Sequence, residues 1–413
     1  MPQTRRSFLR SGFAAGAVCA GAVAADSSGP SATSKPNPGK RPVIDVTDLC
    51  HPHQDRGDNI DLITAYALPQ VDLRAVIFDV TDRYRRPYHN PADPSYDDPT
   101  GPREPGFVPV EQLNYLFDRD VPCAPAPFTP MRGPEDTMTG APRYQQRGIE
   151  LMLDTLRRAQ APVDIVSFGS ARPVAVAYNR APDLLRERVR RVHLCAGAAP
   201  AGYLEWNVQL DVHAFVRLLR ADLPLAVYPC ATDKGAFDLG PHNTYWSLPN
   251  LAFVRDMAPP LQRYIEYAFL RSNRHDFLTV LDSPDPLGDM TPHYAGTHHL
   301  WETAVWTQVA GLRVAHVAAA SPPLTGERGE DAASTKGWRI LPKMGAPDGA
   351  LTVEEQLLPC RFEVRPDGQF RWEGLADSQH AVYSRANPTH YEQALRDALP
   401  AWYRGFSGLL ATG

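Results

Sequence analysis

From residue 41 onward, short apolar runs alternate with segments whose apolar residues recur at helical spacing. Residues 42–48 and 71–78 have the pattern of buried strands, and residues 60–68 between them have that of a helix. Strand–helix–strand units of this kind build parallel sheets, because the helix carries the chain back across one face of the sheet.

The same alternation continues along most of the chain. Further strands are predicted over residues 163–168, 191–196 and 223–228, and further helices over residues 110–116, 146–158, 174–178, 208–220, 260–272 and 388–399. Residues 362–372 have the pattern of a hairpin. The pattern therefore predicts the α/β class: a doubly wound, mostly parallel sheet with flanking helices, ending in a C-terminal hairpin and helix.

The N-terminus indicates export. Arg5 and Arg6 precede Ser-Phe-Leu, and the small-residue apolar stretch 12–25 follows, which resembles a twin-arginine signal. We predict a signal over residues 1–25, a flexible linker over 26–40, and a periplasmic or secreted protein. The alternative is a chance arginine pair before an anchoring helix, for which the apolar stretch is short.

Composition changes this picture in two ways. The net charge of -5 offers no basic field for nucleic acid, and beyond the signal no apolar run is long enough to cross a bilayer.

The 41 prolines are unevenly placed, with 13 of them in residues 85–145. We therefore expect one domain over residues 41–413 with insertions near 85–145 and 235–295. The first insertion is expected to run over the surface. A homo-oligomer is left open.

The cysteines suggest no metal knuckle, because their spacing is wide. Cys195 and Cys230 both end predicted strands, which would make them neighbours. Burial as small apolar side chains is the interpretation we favour.

Acidic residues gather where predicted strands end. Asp48, Asp55, Asp58 and Asp61 follow the first strand, and Asp82 follows the second. Ligands of open α/β sheets bind outside the carboxyl ends of the strands. Carboxylate oxygens there favour a hard cation such as Ca²⁺ or Mg²⁺. The alternative is a solvated acidic loop in which Asp58 caps the following helix.

Histidines offer a different metal chemistry. His51 and His53, with His298 and His299, would suit a transition metal and a different kind of metallohydrolase. Histidine pairs are more often surface or hydrogen-bonding groups.

Two further segments carry a family resemblance when read with the acids. Residues 164–173 are similar to a strand and turn ending Gly-Pro-Leu-Thr-Asn, and residues 205–207 (Glu-Trp-Asn) are similar to a Glu-Phe-Asn segment. Asp48 matches a strand-end acid, and counting back from residues 69–73 places Asp58 on the last acid of that motif. From about residue 42 to 405 the chain resembles the inosine–uridine preferring nucleoside hydrolases.

This resemblance implies hydrolysis of the N-glycosidic bond of a ribonucleoside or related riboside, assisted by Ca²⁺. By position, Asp48 would be a metal ligand and the general base, and Asp58 a second ligand. The backbone carbonyl of Arg172 would be a third ligand. Glu205 and Asn207 would hold the ribose hydroxyls.

Several positions depart from the family. Gly57 stands where the family has its first paired acid, so Asp55 or Asp61 would have to replace it. Asp82 stands where the family has an asparagine.

A late His-Asp pair of the family is also altered here. Ungapped alignment places Trp301 at its ligand position, whereas a shift of one residue makes Glu302 the ligand and His299 the acid or ribose contact. These departures support an alternative, a non-catalytic sugar- or nucleoside-binding protein on the same fold.

Overall fold

The structure, a computed structural model, describes residues 39–53, 55–82, 103–317, 337–344 and 351–411. The predicted export signal, nearly all of the predicted linker, and residues 83–102 of the proline-rich segment lie outside these ranges. The domain bounds predicted from the sequence stay a prediction.

Nine strands form the central sheet. They are β1 (Arg41–Thr47), β2 (Val71–Phe78), β3 (Cys123–Pro125), β4 (Val163–Ser167), β5 (Val189–Cys195), β6 (Leu225–Tyr228), β12 (Glu355–Val364), β13 (Phe370–Gly374) and β14 (Ala381–Arg385). Their order is β13-β12-β14-β6-β5-β4-β1-β2-β3. Pairing is parallel except where β12 meets β13 and β14. The predicted mostly parallel sheet and its C-terminal hairpin are confirmed.

Two small sheets complete the described strands. In the first, β7 (Trp246–Leu248) pairs antiparallel with β8 (His298–Leu300). In the second, β9 (Leu312–Val317) lies between β10 (Gly337–Pro342) and β11 (Leu351–Thr352).

Helices cover both faces of the central sheet. They are α1 (Arg56–Ala67), α2 (Phe107–Phe117), α3 (Arg143–Arg158), α4 (Arg172–Arg180), α5 (Pro182–Arg188), α6 (Trp206–Leu210), α7 (Val212–Leu219), α8 (Pro259–Phe269), α9 (Thr291–Ala295), α10 (Thr303–Ala310) and α11 (Pro388–Phe406). Short 3₁₀ turns cover Ala252–Asp256, Thr279–Asp282 and Ser407–Leu409. Among the residues described, no helix has the length and apolarity that crossing a membrane requires.

Alternate residues of β1 face opposite sides of the sheet, which gives the molecule two apolar cores. Ile44 and Val46 belong to the core that contains α3, α4 and α7. Val43 belongs to the other core, which contains α1, α8, α10 and α11. Because β1 is buried on both faces, it is almost continuously apolar, as strands of parallel sheets are.

Local side-chain chemistry explains where the predicted helix bounds were wrong. α1 begins at Arg56 because the Asp55 carboxylate accepts a hydrogen bond from Gly57 N (2.7 Å) and caps the first turn. The single helix predicted over 208–220 is two helices. Asp211 leaves helical geometry between them, and its carboxylate caps the second by accepting from Ala214 N.

The sequence predicts a surface excursion with one short helix at 110–116. That helix is confirmed as α2, but the surface position is wrong for the buried face of α2 and for β3. Residues 107–125 contain α2 and β3, and β3 is the edge strand beside β2. Val110 and Leu113 of α2 are fully buried. Residues 107–125 are therefore part of the folded core.

We predict that Gly148→Ala destabilises the protein by about 1–3 kcal/mol, through overpacking of α3 against β3. A Cβ at Gly148 would lie 2.7 Å from the backbone of Pro125, which cannot rotate away. Gly140→Ala is the matched control, because a Cβ there meets nothing within 4 Å. Urea unfolding measures both variants, and equal stability of the two would contradict the packing described.

Candidate functional site

The carboxyl ends of three adjacent strands meet at one rim of the sheet. Asp48 follows β1, Asp79 follows β2 and Gly169 follows β4, and the strand order places β1 between the other two. A Cβ on Gly169 would lie 2.7 Å from Asp79 Oδ2 and 3.2 Å from Asp48 Cβ. The turn after β4 is therefore packed directly against both acids, at the edge where ligands of such sheets bind.

The start of α1 supplies the next acids. Asp58 and Asp61 are three residues apart and so lie on neighbouring turns of one helix face. A Cβ on Gly57 would lie 3.6 Å from the carbonyl oxygen of His299. The first turn of α1 is thus held close to β8. The fold therefore brings the acids at the start of α1 beside the segment around residue 300, although the two are far apart in the sequence.

Asp58 is the centre of the acidic group. It is 8 % exposed, and its Oδ2 is buried without a hydrogen-bond partner. Burial raises the pKa of its carboxyl well above the usual range. The charges of four other acids raise it further: Asp48, Asp55, Glu302 and Asp61. Five carboxyl groups therefore lie close enough to repel one another at one place.

Asp61 and Glu302 extend this group toward the core. Asp61 Oδ2 accepts a hydrogen bond from Trp306 Nε1 (2.7 Å), yet burial and the charge of Glu302 raise the pKa of Asp61 well above its usual range. Glu302 Oε2 accepts from Trp301 N (2.9 Å), and burial raises the pKa of Glu302 to about 7. Of the two alignments considered for this position, the structure places the Glu302 carboxyl close enough for its charge to raise the pKa of Asp58 and Asp61.

Glu205 and Asn207 are held by the backbone at the neighbouring strand ends. Glu205 caps α6, and its carboxylate accepts from Gly197 N (2.8 Å) and Asn207 N (2.9 Å). Burial raises the pKa of Glu205 to about 7. Asn207 Nδ2 donates to Phe168 O (2.9 Å) and Cys195 O (2.8 Å). With both Nδ2 hydrogens used, Asn207 can meet a ligand only as an acceptor, through Oδ1.

The side chain of Arg172 supports the rim. It is fully buried, and its Nη2 donates to Asp79 Oδ1 (2.8 Å) and Thr81 Oγ1 (3.0 Å). Asp79 Oδ2 in turn accepts from Ser170 N (2.5 Å). The sequence analysis missed this ion pair because its partners are 93 residues apart. A guanidinium is positively charged and has no acceptor atom, so the Arg172 group that could bind a cation is its backbone carbonyl.

Asp82 lies beside this ion pair. It is half-buried, follows Thr81, and its backbone N–H donates to Phe128 O (3.0 Å). Asp82 is not among the charges that act most strongly on Asp58, which are those of Asp48, Asp55, Glu302 and Asp61.

An aromatic group flanks the acids. His299 is exposed, and its Nδ1 lies 2.8 Å from the hydroxyl of Tyr245. The ring of Phe237, 64 % exposed, lies 4.8 Å from that of His299. The ring of Trp301 lies 5.2 Å from that of Tyr245. Phe237 and Tyr245 come from an irregular region without periodicity, so sequence reasoning had no signal for them.

The other histidines considered above as metal ligands contact backbone carbonyls. His51 Nε2 lies 2.8 Å from Ser272 O, His53 Nδ1 lies 2.9 Å from Ala268 O, and His298 Nε2 lies 3.1 Å from His293 O. Within residues 39–411, apart from the gaps in the description, no three His, Cys, Asp or Glu side chains are already grouped as metal ligands.

Comparison with known proteins gives distant similarities only. No family model and no curated protein matches the sequence. A purine-preferring ribonucleoside hydrolase from Gardnerella vaginalis aligns with 89% of this chain and 99% of its own, at 12% identity and a TM-score of 0.46. An inosine–uridine preferring nucleoside hydrolase from Bacillus anthracis also aligns with 89% of this chain and 99% of its own, at 10% identity and a TM-score of 0.38. A plant nucleoside hydrolase covers 70% of this chain and 85% of its own, at 13% identity and a TM-score of 0.41. These values are too low to assign an activity.

We predict that Asp58→Asn stabilises the metal-free protein at pH 8. The folded-state pKa of Asp58 is raised, so the folded chain keeps a proton that the unfolded chain loses above about pH 4. The contribution of Asp58 to wild-type stability therefore falls as the pH rises from 4, and the amide removes this loss. The advantage should be present at pH 8 and vanish near pH 4.

Urea unfolding in chelator at both pH values measures this difference. Asp377→Asn, at an exposed position, is the control and should change little at either pH. An Asp58→Asn protein that is less stable than wild type at pH 8 would show that the carboxylate is stabilised by its surroundings instead.

Proposed function

We propose that the chain is a divalent-cation-dependent hydrolase that cleaves the N-glycosidic bond of a ribonucleoside or related riboside, as nucleoside hydrolases do. The observation that carries the proposal is the buried carboxyl oxygen of Asp58, which has no partner and lies among four other acids. Buried like charges are costly in a folded protein unless a counter-charge joins them.

The residues present suit a hard cation in charge and in donor type. Carboxylate oxygens are the ligands that Ca²⁺ and Mg²⁺ prefer, and an unpartnered oxygen is available on Asp58. We propose Asp48, Asp58 and Glu302 as side-chain ligands and the Arg172 carbonyl as a further one. Because three such side chains are not already grouped among the described residues, binding requires them to turn toward a common point.

The attacking water would be activated at the rim of the sheet, by a bound cation and Asp48. A bound divalent cation would lower the pKa of a water molecule and orient the ribose hydroxyls. Asp48, buried at the end of β1, accepts the proton of the attacking water as general base. The remaining carboxylates place negative charge beside the sugar, which stabilises the oxocarbenium-like transition state of glycosidic cleavage.

Substrate binding is assigned to residues around the acidic group. Glu205 and Asn207 Oδ1 accept hydrogen bonds from ribose hydroxyls, and Asp55 supplies the carboxylate that Gly57, without a side chain, cannot. Asp82 lies farther along the rim and is proposed to bind the substrate there. His299, oriented by Tyr245, delivers a proton to the departing base.

The competing function is ligand binding without turnover. It is favoured by the hydrogen bonds that tie Glu205 and Asn207 to the backbone, since these bonds leave less capacity for a substrate. Both functions predict riboside binding, so the release of product separates them.

We predict that the purified protein releases ribose from at least one purine or pyrimidine riboside when Ca²⁺ is present. Thorough chelation should abolish this release, and added Ca²⁺ should restore it. Asp48→Asn should lower kcat by about 10²–10⁴-fold, because asparagine has nearly the size of aspartate but cannot act as a general base. Asp377→Asn, exposed and remote from the rim, should retain wild-type kcat.

Calorimetric titration with the same ribosides and with pentoses accompanies this assay. Tight binding without ribose release over hours would replace the hydrolase by a binding protein. Turnover that survives complete removal of divalent ions would contradict the cation-dependent mechanism.

A further inference from the structure

Two thiols meet at the carboxyl ends of β5 and β6. Cys195 is the last residue of β5, and Cys230 follows β6 by two residues. Both are buried, and their Sγ atoms lie 3.2 Å apart. The other cysteines in the described residues are Cys50, Cys123 and Cys360, and all five are free thiols.

The backbone holds this pair together. Ala196 N donates to Tyr228 O (3.1 Å), and Cys230 N donates to Gly197 O (2.8 Å). These bonds tie the two chain segments on both sides of the thiols. A disulfide has an S–S distance of about 2.05 Å, so the sulfurs need to approach by only about 1 Å.

The same two residues reach the candidate site through their carbonyls. Cys195 O accepts from Asn207 Nδ2 (2.8 Å), and Cys230 O accepts from Trp301 Nε1 (3.0 Å). Asn207 is proposed to bind ribose, and Trp301 lies between His299 and Glu302 in the chain. A change in the geometry of the pair is therefore passed directly to Asn207 and to Trp301.

We propose that Cys195 and Cys230 are an oxidation site that forms an intramolecular disulfide, and that this bond alters the position of Trp301. The oxidant is a disulfide donor, R–S–S–R. One cysteine thiolate attacks the donor, forms a mixed disulfide and releases RS⁻. The second thiolate then displaces the other RS⁻. Two cysteine protons and two electrons leave with the donor as two RSH molecules, so the reaction is balanced.

The fold determines when this reaction is fast. Burial raises the pKa of the Cys230 thiol well above its usual range, which keeps it protonated and slow to react in the folded chain. Oxidation is therefore expected mainly while the chain folds.

The test is refolding of the reduced full chain in a glutathione redox buffer. Thiols are then blocked with N-ethylmaleimide in denaturant, and linked peptides are mapped without reduction by mass spectrometry. We expect a Cys195–Cys230 linkage, with titratable thiols falling from six to four per chain. Cys195→Ser and Cys230→Ser should each abolish this linkage, and Cys360→Ser should keep it. No linkage at Cys195 and Cys230, or preferred pairing of either with another cysteine, overturns the proposal.

Tryptophan fluorescence tests the link to the site without any substrate. The oxidised and reduced forms should differ in emission, and Trp301→Phe should remove most of that difference. An undiminished difference in Trp301→Phe would overturn the effect on Trp301. Because neither measurement depends on turnover, failure of the proposed hydrolysis would leave both results interpretable.

Discussion

The candidate site is governed by the repulsion among carboxyl groups that the fold buries together. Asp58 is the most constrained of them, because one of its oxygens is buried without a partner while four other acids act on it. Such a group destabilises the folded chain at neutral pH unless the acids hold protons or a cation lies among them. The proposed cation would relieve this repulsion, and the same acids would then bind the cation and activate water.

Besides the hydrogen bonds that Asp55, Asp61 and Glu302 themselves accept, neighbouring residues hold the turns that carry the acids. The buried Asp79–Arg172 ion pair fixes the turn after β4 against Asp48, and Gly169 allows that close approach. Asn207 joins the ends of β4 and β5 through two backbone carbonyls. These interactions link the strand ends at the rim, so moving the loops apart to reduce the repulsion would break them.

Periodicity predicted the fold well where strands are buried on both faces. β2 was predicted at its observed residues, and β1 and β4 were each displaced by a residue at most. β3 and β14 were missed, because three or five residues beside prolines or polar turns carry little periodicity. The break at Asp211 was also missed, since apolar spacing continues through it and only the cap reveals the new helix.

The sequence pointed to the acids that the structure brings together, and not to the residues that support them. The roles of these acids in a site stay a prediction. Asp48 and Asp58 could be proposed because strand ends and motif spacing are local properties, and Glu302 was proposed from the family resemblance. The ion pair of Asp79 with Arg172 and the aromatic group around His299 depend on interactions between distant segments, which a single sequence does not display. The meeting of Cys195 with Cys230 was considered from the strand ends, and the structure places their sulfurs in contact.

A crystal structure grown with millimolar Ca²⁺, with anomalous scattering used to locate the ion, tests the central claim most directly. We predict one Ca²⁺ with oxygens of Asp48 and Asp58 at about 2.3–2.6 Å. A calcium-free acidic group under those conditions, with Asp58 Oδ2 still unpartnered, would contradict the proposal that these buried carboxylates form a cation site.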